Sequence, residues 1–130
     1  MTKLTVVIGA SENRERYSNR AVRKLREYNH NVIAIGLKQG RISGIANGAL
    51  GFDSVIIQTG FPKIEGVDSV SLYVSAAHQP QYYDYILSLK PRRVIFNPGA
   101  ENPEFAQKLR DAGIEVLEAC TLVMLSVGNY

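Results

Sequence analysis

The stretch VVIGASENRERYSNRAVRKL, residues 6–25, decides the fold class of this chain. It begins with an apolar, β-branched run, passes through Gly9 and a polar loop, and ends in a basic segment whose apolar residues have helical spacing. This layout is typical of a buried strand, a loop and a helix whose free N–H groups can bind an anion. The two further glycines of a dinucleotide-binding fingerprint are missing, so the stretch alone does not specify which phosphate would bind.

The composition indicates an ordinary globular domain. The 130 residues are 45% hydrophobic and 21% charged, which predicts one domain over residues 1–130 and argues against disorder. Because no apolar run approaches the roughly 20 residues of a membrane helix and no signal-peptide cleavage region follows the start, we expect a cytoplasmic protein without a membrane partner. The net charge of +3 is spread without a dense basic tract, so nucleic acid is not an expected partner.

Predicted strands and helices alternate along the chain. Apolar runs predict strands at residues 3–8, 31–36, 52–59, 67–75, 92–97 and 114–119, of which 52–59 is expected at an edge. Helical spacing predicts helices at residues 18–28, 78–89 and 103–112, the last capped by Asn102 and ended by Gly113. Residues 37–51 are rich in glycine and are predicted to form a loop. The alternation predicts a three-layer α/β domain with a mainly parallel sheet of five or six strands.

The loop after the first strand is the first candidate binding segment, because ligands of such sheets bind beyond the carboxyl ends of the strands. A glycine there permits a sharp turn and a close approach of a ligand to the backbone. Small residues, hydrogen-bonding side chains and arginines follow it and could together hold a diphosphate. The candidate residues are Gly9, Ala10, Ser11, Asn13, Arg16, Ser18 and Asn19. The alternative is that Ser18 or Asn19 merely caps the helix and that the arginines are solvated.

The loop after the second strand distinguishes between nucleotide ligands. An NAD site usually carries Asp or Glu near the end of this strand, where the carboxylate binds ribose hydroxyls. Residues 31–41, NVIAIGLKQGR, instead supply Lys38 and Arg41. Basic residues at this place suit a phosphorylated ribose, as in coenzyme A or NADP. The alternative is that both are solvated loop cations.

Several segments together resemble a known family. VVIGASENRERYSNRAVRKL, VIAIGLK, SLYVSA and FNPGAENPEF with AGIEVLEACTLVML are similar to the small stand-alone CoA-binding proteins. The Rossmann-like domain of those proteins is similar to the CoA-binding domain of the succinyl-CoA synthetase alpha subunit. The resemblance covers nearly the whole chain and implies a Rossmann-like domain that binds CoA or acyl-CoA.

The resemblance also implies roles for the first two loops. Residues of the first loop would surround the CoA diphosphate, namely Gly9, Ala10, Ser11, Arg16 and Ser18. Gly36 and Lys38 lie where such proteins often carry an Asn-Pro-Lys turn beside the adenosine. Here Gly36-Leu37 replaces Asn-Pro, which keeps the charge but changes the shape of the turn.

Two later turns complete the set of candidate ligand residues. By the resemblance, the small residues Ser75 and Ala76 would line the adenine side, unless they only form a tight turn. Asn97, Pro98 and Gly99 lie at the carboxyl end of another predicted strand, and Asn97 could reach a bound ligand from there. The alternative is local turn chemistry.

The sequence does not predict a catalytic group. The phosphorylated histidine of the synthetase belongs to a domain outside the resemblance, so neither His30 nor His78 inherits that role. His78 lies near the expected ligand face, but the sequence identifies no nucleophile as its partner. The two histidines lack the spacing of metal ligands. Cys120 is expected to be a buried, inert thiol. We therefore expect a non-catalytic CoA- or acyl-CoA-binding protein, compatible with a homodimer or a protein partner. The alternatives are a small NADP-dependent oxidoreductase, a CoA-thioester-processing enzyme, and a regulatory or scaffolding domain with a degenerate site.

Overall fold

The computed structural model describes residues 3–47 and 51–130, which contain one sheet and helices on both of its faces. The strands are β1 (Leu4–Ile8), β2 (Asn31–Ile35), β3 (Gly40–Asn47), β4 (Gly51–Gln58), β5 (Ser69–Leu72), β6 (Arg93–Phe96) and β7 (Glu115–Glu118). The α-helices are α1 (Tyr17–Glu27), α2 (Tyr83–Leu89), α3 (Pro103–Asp111) and α4 (Thr121–Val127). Short 3-10 turns at Ala76–His78 and Pro80–Tyr82 precede α2.

The strand order in the sheet is β3-β4-β2-β1-β5-β6-β7. The pairs are parallel except β3 with β4, which is antiparallel. The chain moves from β1 to β2 on one side and later returns to place β5 on the other side of β1. This reversal makes the carboxyl ends of β1 and β5 the switch point, where a sheet of this kind opens a crevice. The predicted three-layer α/β fold with a mainly parallel sheet is confirmed.

The structure corrects the predicted strand count of five or six, because the described residues form seven strands. The additional strand is β3, which lies in residues 37–51 that were predicted as a loop; residues 48–50 of that prediction lie outside the described residues. Ile42 and Ile45 of β3 are buried, and the register with β4 shifts between them at Gly44, whose φ is +70°. The bulge breaks the alternation that marks a strand in sequence. Consequently β4 is not an edge strand, since β3 covers its outer side.

The helices also differ in detail from the prediction. The predicted helix at residues 78–89 is two 3-10 turns followed by α2, and Lys90 ends it in the left-handed region at φ +49°. The N-cap of α3 is confirmed, because the Asn102 side chain accepts a hydrogen bond from the Phe105 N–H at 3.2 Å. Helix α4 follows β7, where the sequence analysis placed no element.

The core consists of one apolar cluster on each face of the sheet. On one face α2 and α3 contribute Ile86, Phe105 and Leu109 to a cluster with strand residues such as Phe96. On the other face α1 and α4 pack Leu25 and Leu125 against β1 to β4. None of the helices in the described ranges is long and apolar enough to cross a membrane.

Candidate functional site

A cleft of about 580 Å³ opens at the switch point between β1 and β5. Its walls come from the loop after β1, the turn after β2 and the segment after β5, so three of the predicted loops converge on it. Predicted site residues that line it are Gly9, Ala10, Ser11, Arg16, Lys38 and Ser75. Lining residues that the sequence analysis did not assign to the site are Glu12, Leu37, Tyr73, Val74, Gln81 and Tyr82.

Gly9 allows the loop after β1 to pass close to β5. Its φ is +98°, a conformation that residues with a side chain rarely adopt. A Cβ atom at this position would also lie 3.1 Å from the main-chain carbonyl carbon of Tyr73. The N–H groups of Gly9 and Ala10 both donate to the Ile35 carbonyl at 2.9 Å, which fixes the start of the loop to the end of β2.

Gly36 has a different reason to be glycine. It is buried at the end of β2, and a Cβ atom there would lie 2.4 Å from the Ala10 carbonyl oxygen. Gly36 therefore supports the first loop from behind and does not line the cleft, whereas Lys38, two residues later, does. The sequence grouped Gly36 and Lys38 in one turn, and the structure separates the supporting residue from the lining one.

Three predicted residues of the first loop and helix do not line the cleft. Asn19 is fully buried within α1; its Nδ2 donates to the Ser11 carbonyl at 2.8 Å and its Oδ1 accepts from Arg23 Nε at 2.8 Å. Asn19 thus holds the loop in place through Ser11. Asn13 is exposed and its Oδ1 accepts from the Glu15 N–H, while Ser18 is buried in the first turn of α1. The N-cap position of α1 is occupied by Arg16, without a side-chain capping bond.

Arg41 also lies away from the cleft. Its guanidinium donates to Ser54 Oγ at 2.8 Å, and the side chain lines a different hollow, on the sheet beside Ile56. Its main-chain N–H donates to Glu12 Oε2 at 3.1 Å. The two cations of the second loop therefore separate, because Lys38 precedes β3 and Arg41 belongs to it.

The turn after β6 is held by internal hydrogen bonds. Asn97 is fully buried; its Nδ2 donates to Ser71 Oγ at 2.9 Å and to the Leu72 carbonyl at 3.1 Å, and its Oδ1 accepts from the Thr121 N–H at 2.8 Å. Pro98 and Gly99 are exposed and, like Asn97, do not line the cleft. These contacts join β5, β6 and the start of α4, as the local interpretation of Asn97 requires.

The segment after β5 supplies two polar side chains and an aromatic side chain to the lining of the cleft. Ser75 Oγ and His78 Nδ1 are 3.0 Å apart, and both side chains line the cleft; Ala76, between them, does not. Burial raises the pKa of Tyr73 well above its ordinary value, and the neighbouring hydroxyls of Thr121 and Ser71 lower it only in part. Tyr73 is therefore a neutral phenol beneath the cleft.

His30 and Cys120 lie outside the cleft. His30 Nδ1 accepts from the Lys3 N–H at 3.1 Å, and burial followed by the charge of Lys3 lowers its pKa. Cys120 is half-buried at the residue before α4, and so is less buried than the sequence predicted. No group of three or more His, Cys, Asp or Glu side chains in the described part of the chain could hold a metal ion.

Comparisons with known proteins identify the family and the fold of the chain. The family model for the CoA binding domain matches residues 3–126. A crystal structure of an uncharacterized protein is 42% identical, with a TM-score of 0.89 over 100% of this chain and 99% of that one. A structure from Thermus thermophilus is 22% identical (TM-score 0.78, 99% and 91% covered), and a hypothetical protein from Pyrococcus horikoshii OT3 is 20% identical (TM-score 0.77, 97% and 83% covered). The last two show the fold alone, and no curated protein matches the chain.

The match over nearly the whole sequence identifies the class of protein. The chain belongs to the CoA-binding domain family, with a Rossmann-like fold. Membership of this family supports coenzyme A as the ligand.

Proposed function

We propose that this protein binds CoA or acyl-CoA in the cleft between β1 and β5, with the diphosphate at the loop after β1. The observation that carries the proposal is the convergence of Gly9, Ala10 and Ser11 with the cations Arg16 and Lys38 on one cleft at the switch point. Small residues let phosphate approach the main chain, and the cations balance its charge. The volume of about 580 Å³ lies within the range usual for ligand sites.

The order of the strands supports a position for each part of the ligand. In a sheet of this type the adenosine end of a nucleotide lies beyond β2, and the diphosphate lies beyond β1. Lys38 follows β2 and lines the cleft, which supports a contact between Lys38 and the phosphorylated ribose of CoA. The ligand could then extend along Tyr73 and Val74 towards Ser75 and His78, which line the cleft after β5.

Calorimetric titration of the purified protein with CoA, dephospho-CoA, NAD and NADP tests the proposal. We expect CoA to bind and NAD to bind more weakly or not at all. Lys38→Ala should weaken CoA binding, whereas Lys63→Ala, which removes an exposed lysine outside the cleft, should leave it unchanged. Binding of NAD without any response to CoA would contradict the proposal, and preferential binding of NADP would favour the oxidoreductase alternative.

The Ser75–His78 pair favours a second candidate function, the processing of a CoA thioester. A serine hydroxyl hydrogen-bonded to an imidazole is the arrangement of a nucleophile with its base, and both groups line the cleft. In that reaction Ser75 Oγ would attack the thioester carbonyl, His78 would accept the hydroxyl proton, and CoA would leave as the thiol after reprotonation. Water would then hydrolyse the acyl-serine ester.

Release of free thiol from acetyl-CoA and longer acyl-CoA thioesters measures this reaction directly. If it occurs at the pair, the wild-type protein releases thiol and Ser75→Ala and His78→Ala do not. Ser88→Ala removes a serine of α2 outside the cleft and serves as the control. Absence of thiol release from a protein that binds acyl-CoA leaves binding as the function.

A further inference from the structure

The side chain of Glu12 places a carboxylate at the adenosine end of the cleft. Glu12 directly follows Ser11 in the first loop and lines the cleft. Its Oε2 accepts a hydrogen bond from the Arg41 N–H at 3.1 Å, so the carboxylate is held against the start of β3. Arg41 is three residues beyond Lys38, and the carboxylate therefore lies beside the segment that would receive the ribose.

The Glu12 side chain packs directly against Gly40. A Cβ atom at Gly40 would lie 2.4 Å from Glu12 Cδ, 2.7 Å from Cγ and 2.8 Å from Oε1. Unlike Gly9, Gly40 does not have a positive φ, so its backbone conformation does not require glycine. The atoms that such a Cβ would meet belong to the end of the flexible, exposed Glu12 side chain, so the contact places Glu12 against Gly40 without requiring glycine at this position.

The charges at this end of the cleft differ from the sequence expectation. Two cations and no acid were expected there, but the Arg41 guanidinium turns away to Ser54. The structure instead brings in Glu12 from the first loop, so that Lys38 faces the cleft together with a carboxylate. A carboxylate beyond β2 is the group that binds ribose hydroxyls in nucleotide sites of this topology, and it repels a phosphate on the same ribose.

We propose that Glu12 is a specificity-determining residue that lowers the preference of the cleft for a nucleotide with a phosphorylated ribose. The inference rests on the proposed binding of CoA in this cleft and refines it. Lys38 attracts the ribose phosphate and Glu12 repels it. The ratio of the affinities for CoA and dephospho-CoA therefore measures the net effect of this attraction and this repulsion. Removing the carboxylate should shift that ratio towards CoA.

The experiment compares CoA and dephospho-CoA by calorimetric titration of three variants. Glu12→Gln removes the charge and keeps an oxygen that can accept from the Arg41 N–H, and we expect it to raise the affinity ratio about three- to fivefold. Glu12→Ala should raise the ratio by a similar factor even if it lowers the thermal midpoint, because the charge and not the hydrogen bond sets the preference. Glu15→Gln removes the same charge from the same loop outside the cleft and should leave the ratio within twofold.

The salt dependence of the affinity ratio and the binding of the wild-type protein distinguish the possible outcomes. The shift caused by Glu12→Gln should shrink as the ionic strength rises, which a purely structural effect would not do. If the wild-type protein binds CoA but Glu12→Gln changes both affinities equally, or acts like Glu15→Gln, the role of Glu12 is overturned and the binding proposal stands. If the wild-type protein binds neither CoA nor dephospho-CoA, both proposals fail.

Discussion

The loop after β1 and the turn after β6 have similar local chemistry and different surroundings. Each follows a buried strand and contains a glycine with nearly the same φ, +98° at Gly9 and +96° at Gly99. A Cβ atom at Gly9 would meet Tyr73 at 3.1 Å, whereas one at Gly99 would meet nothing within 4 Å. The first loop lines the cleft and the second does not.

The strand order explains this difference. β1 lies between β2 and β5, where the direction of chain progression reverses, so its carboxyl end faces an opening. β6 lies between β5 and β7, beyond the reversal, and the Asn97 side chain ties its end to the start of α4. Of these two strand–glycine–polar segments, only the one at the switch point therefore lines the cleft.

The largest expected effect is on stability, at the turn after β6. Asn97→Ala removes three hydrogen bonds and leaves the buried Thr121 N–H without its acceptor, so we expect a loss of about 3 kcal/mol in the free energy of unfolding. Urea denaturation measures this loss. CoA affinity should stay within twofold under conditions where the variant is folded; a tenfold loss of affinity with unchanged stability would place Asn97 at the ligand and abolish the comparison.

The next effect compares two glycines, of which Gly36 is crowded by a neighbouring main-chain atom and Gly99 has a positive φ. Gly36→Ala puts a Cβ atom 2.4 Å from a main-chain oxygen of the first loop, so that the backbone must move. We expect it to cost about 2–3 kcal/mol in stability and at least tenfold in CoA affinity.

Gly99→Ala is the matched control for Gly36→Ala. It has open space but a positive φ, and should cost about 1 kcal/mol without affecting CoA affinity. Chemical denaturation and titration of both variants separate crowding from backbone strain. Equal losses of CoA affinity in the two variants would mean that both turns support the site.

A smaller effect distinguishes the two cations of the second loop. Lys38→Glu should weaken CoA about tenfold or more, and dephospho-CoA less, because it replaces attraction to the ribose phosphate with repulsion. Arg41→Glu should change CoA affinity less than about threefold, since the Arg41 guanidinium is bound to Ser54 outside the cleft. Titrations at one fixed ionic strength compare them, and similar losses in both variants would show that Arg41 turns towards the ligand on binding.

The smallest effect is expected at Asn13, which tests whether the first loop acts through its lining residues alone. Asn13 is exposed and forms local hydrogen bonds within its own turn. Its side chain accepts from the Glu15 N–H, its carbonyl accepts from the Arg16 N–H, and its main-chain N–H donates to Ser11 Oγ. Asn13→Ala should alter the free energy of unfolding by less than about 0.5 kcal/mol and leave CoA affinity within twofold. Thermal unfolding and calorimetry provide the check; a larger loss of affinity would extend the site to the outer side of the loop.

Among the candidate residues, the sequence was most informative where local chemistry and topology agree. The capping of α3 by Asn102 depends on residues three positions apart, so it could be predicted from the sequence and is confirmed. The position of Glu12 could not, because its carboxylate meets Arg41, 29 residues away, through the pairing of β3 with β4. The same strand was missed because its bulge at Gly44 interrupts the alternation of buried residues.

By itself the sequence determined the alternation of strands and helices, and with it the three-layer α/β fold. These follow from apolar periodicity and from the parallel direction that such alternation imposes, which are properties of neighbouring residues. The tertiary structure alone decided which side chains reach the cleft. Glu12 and Tyr73 line it, while Asn97 and Arg41 are held by partners distant in sequence. The direction of a side chain depends on the buried or hydrogen-bonded neighbour that the strand order brings close to it. The local sequence pattern does not identify that neighbour, because it lies far away along the chain.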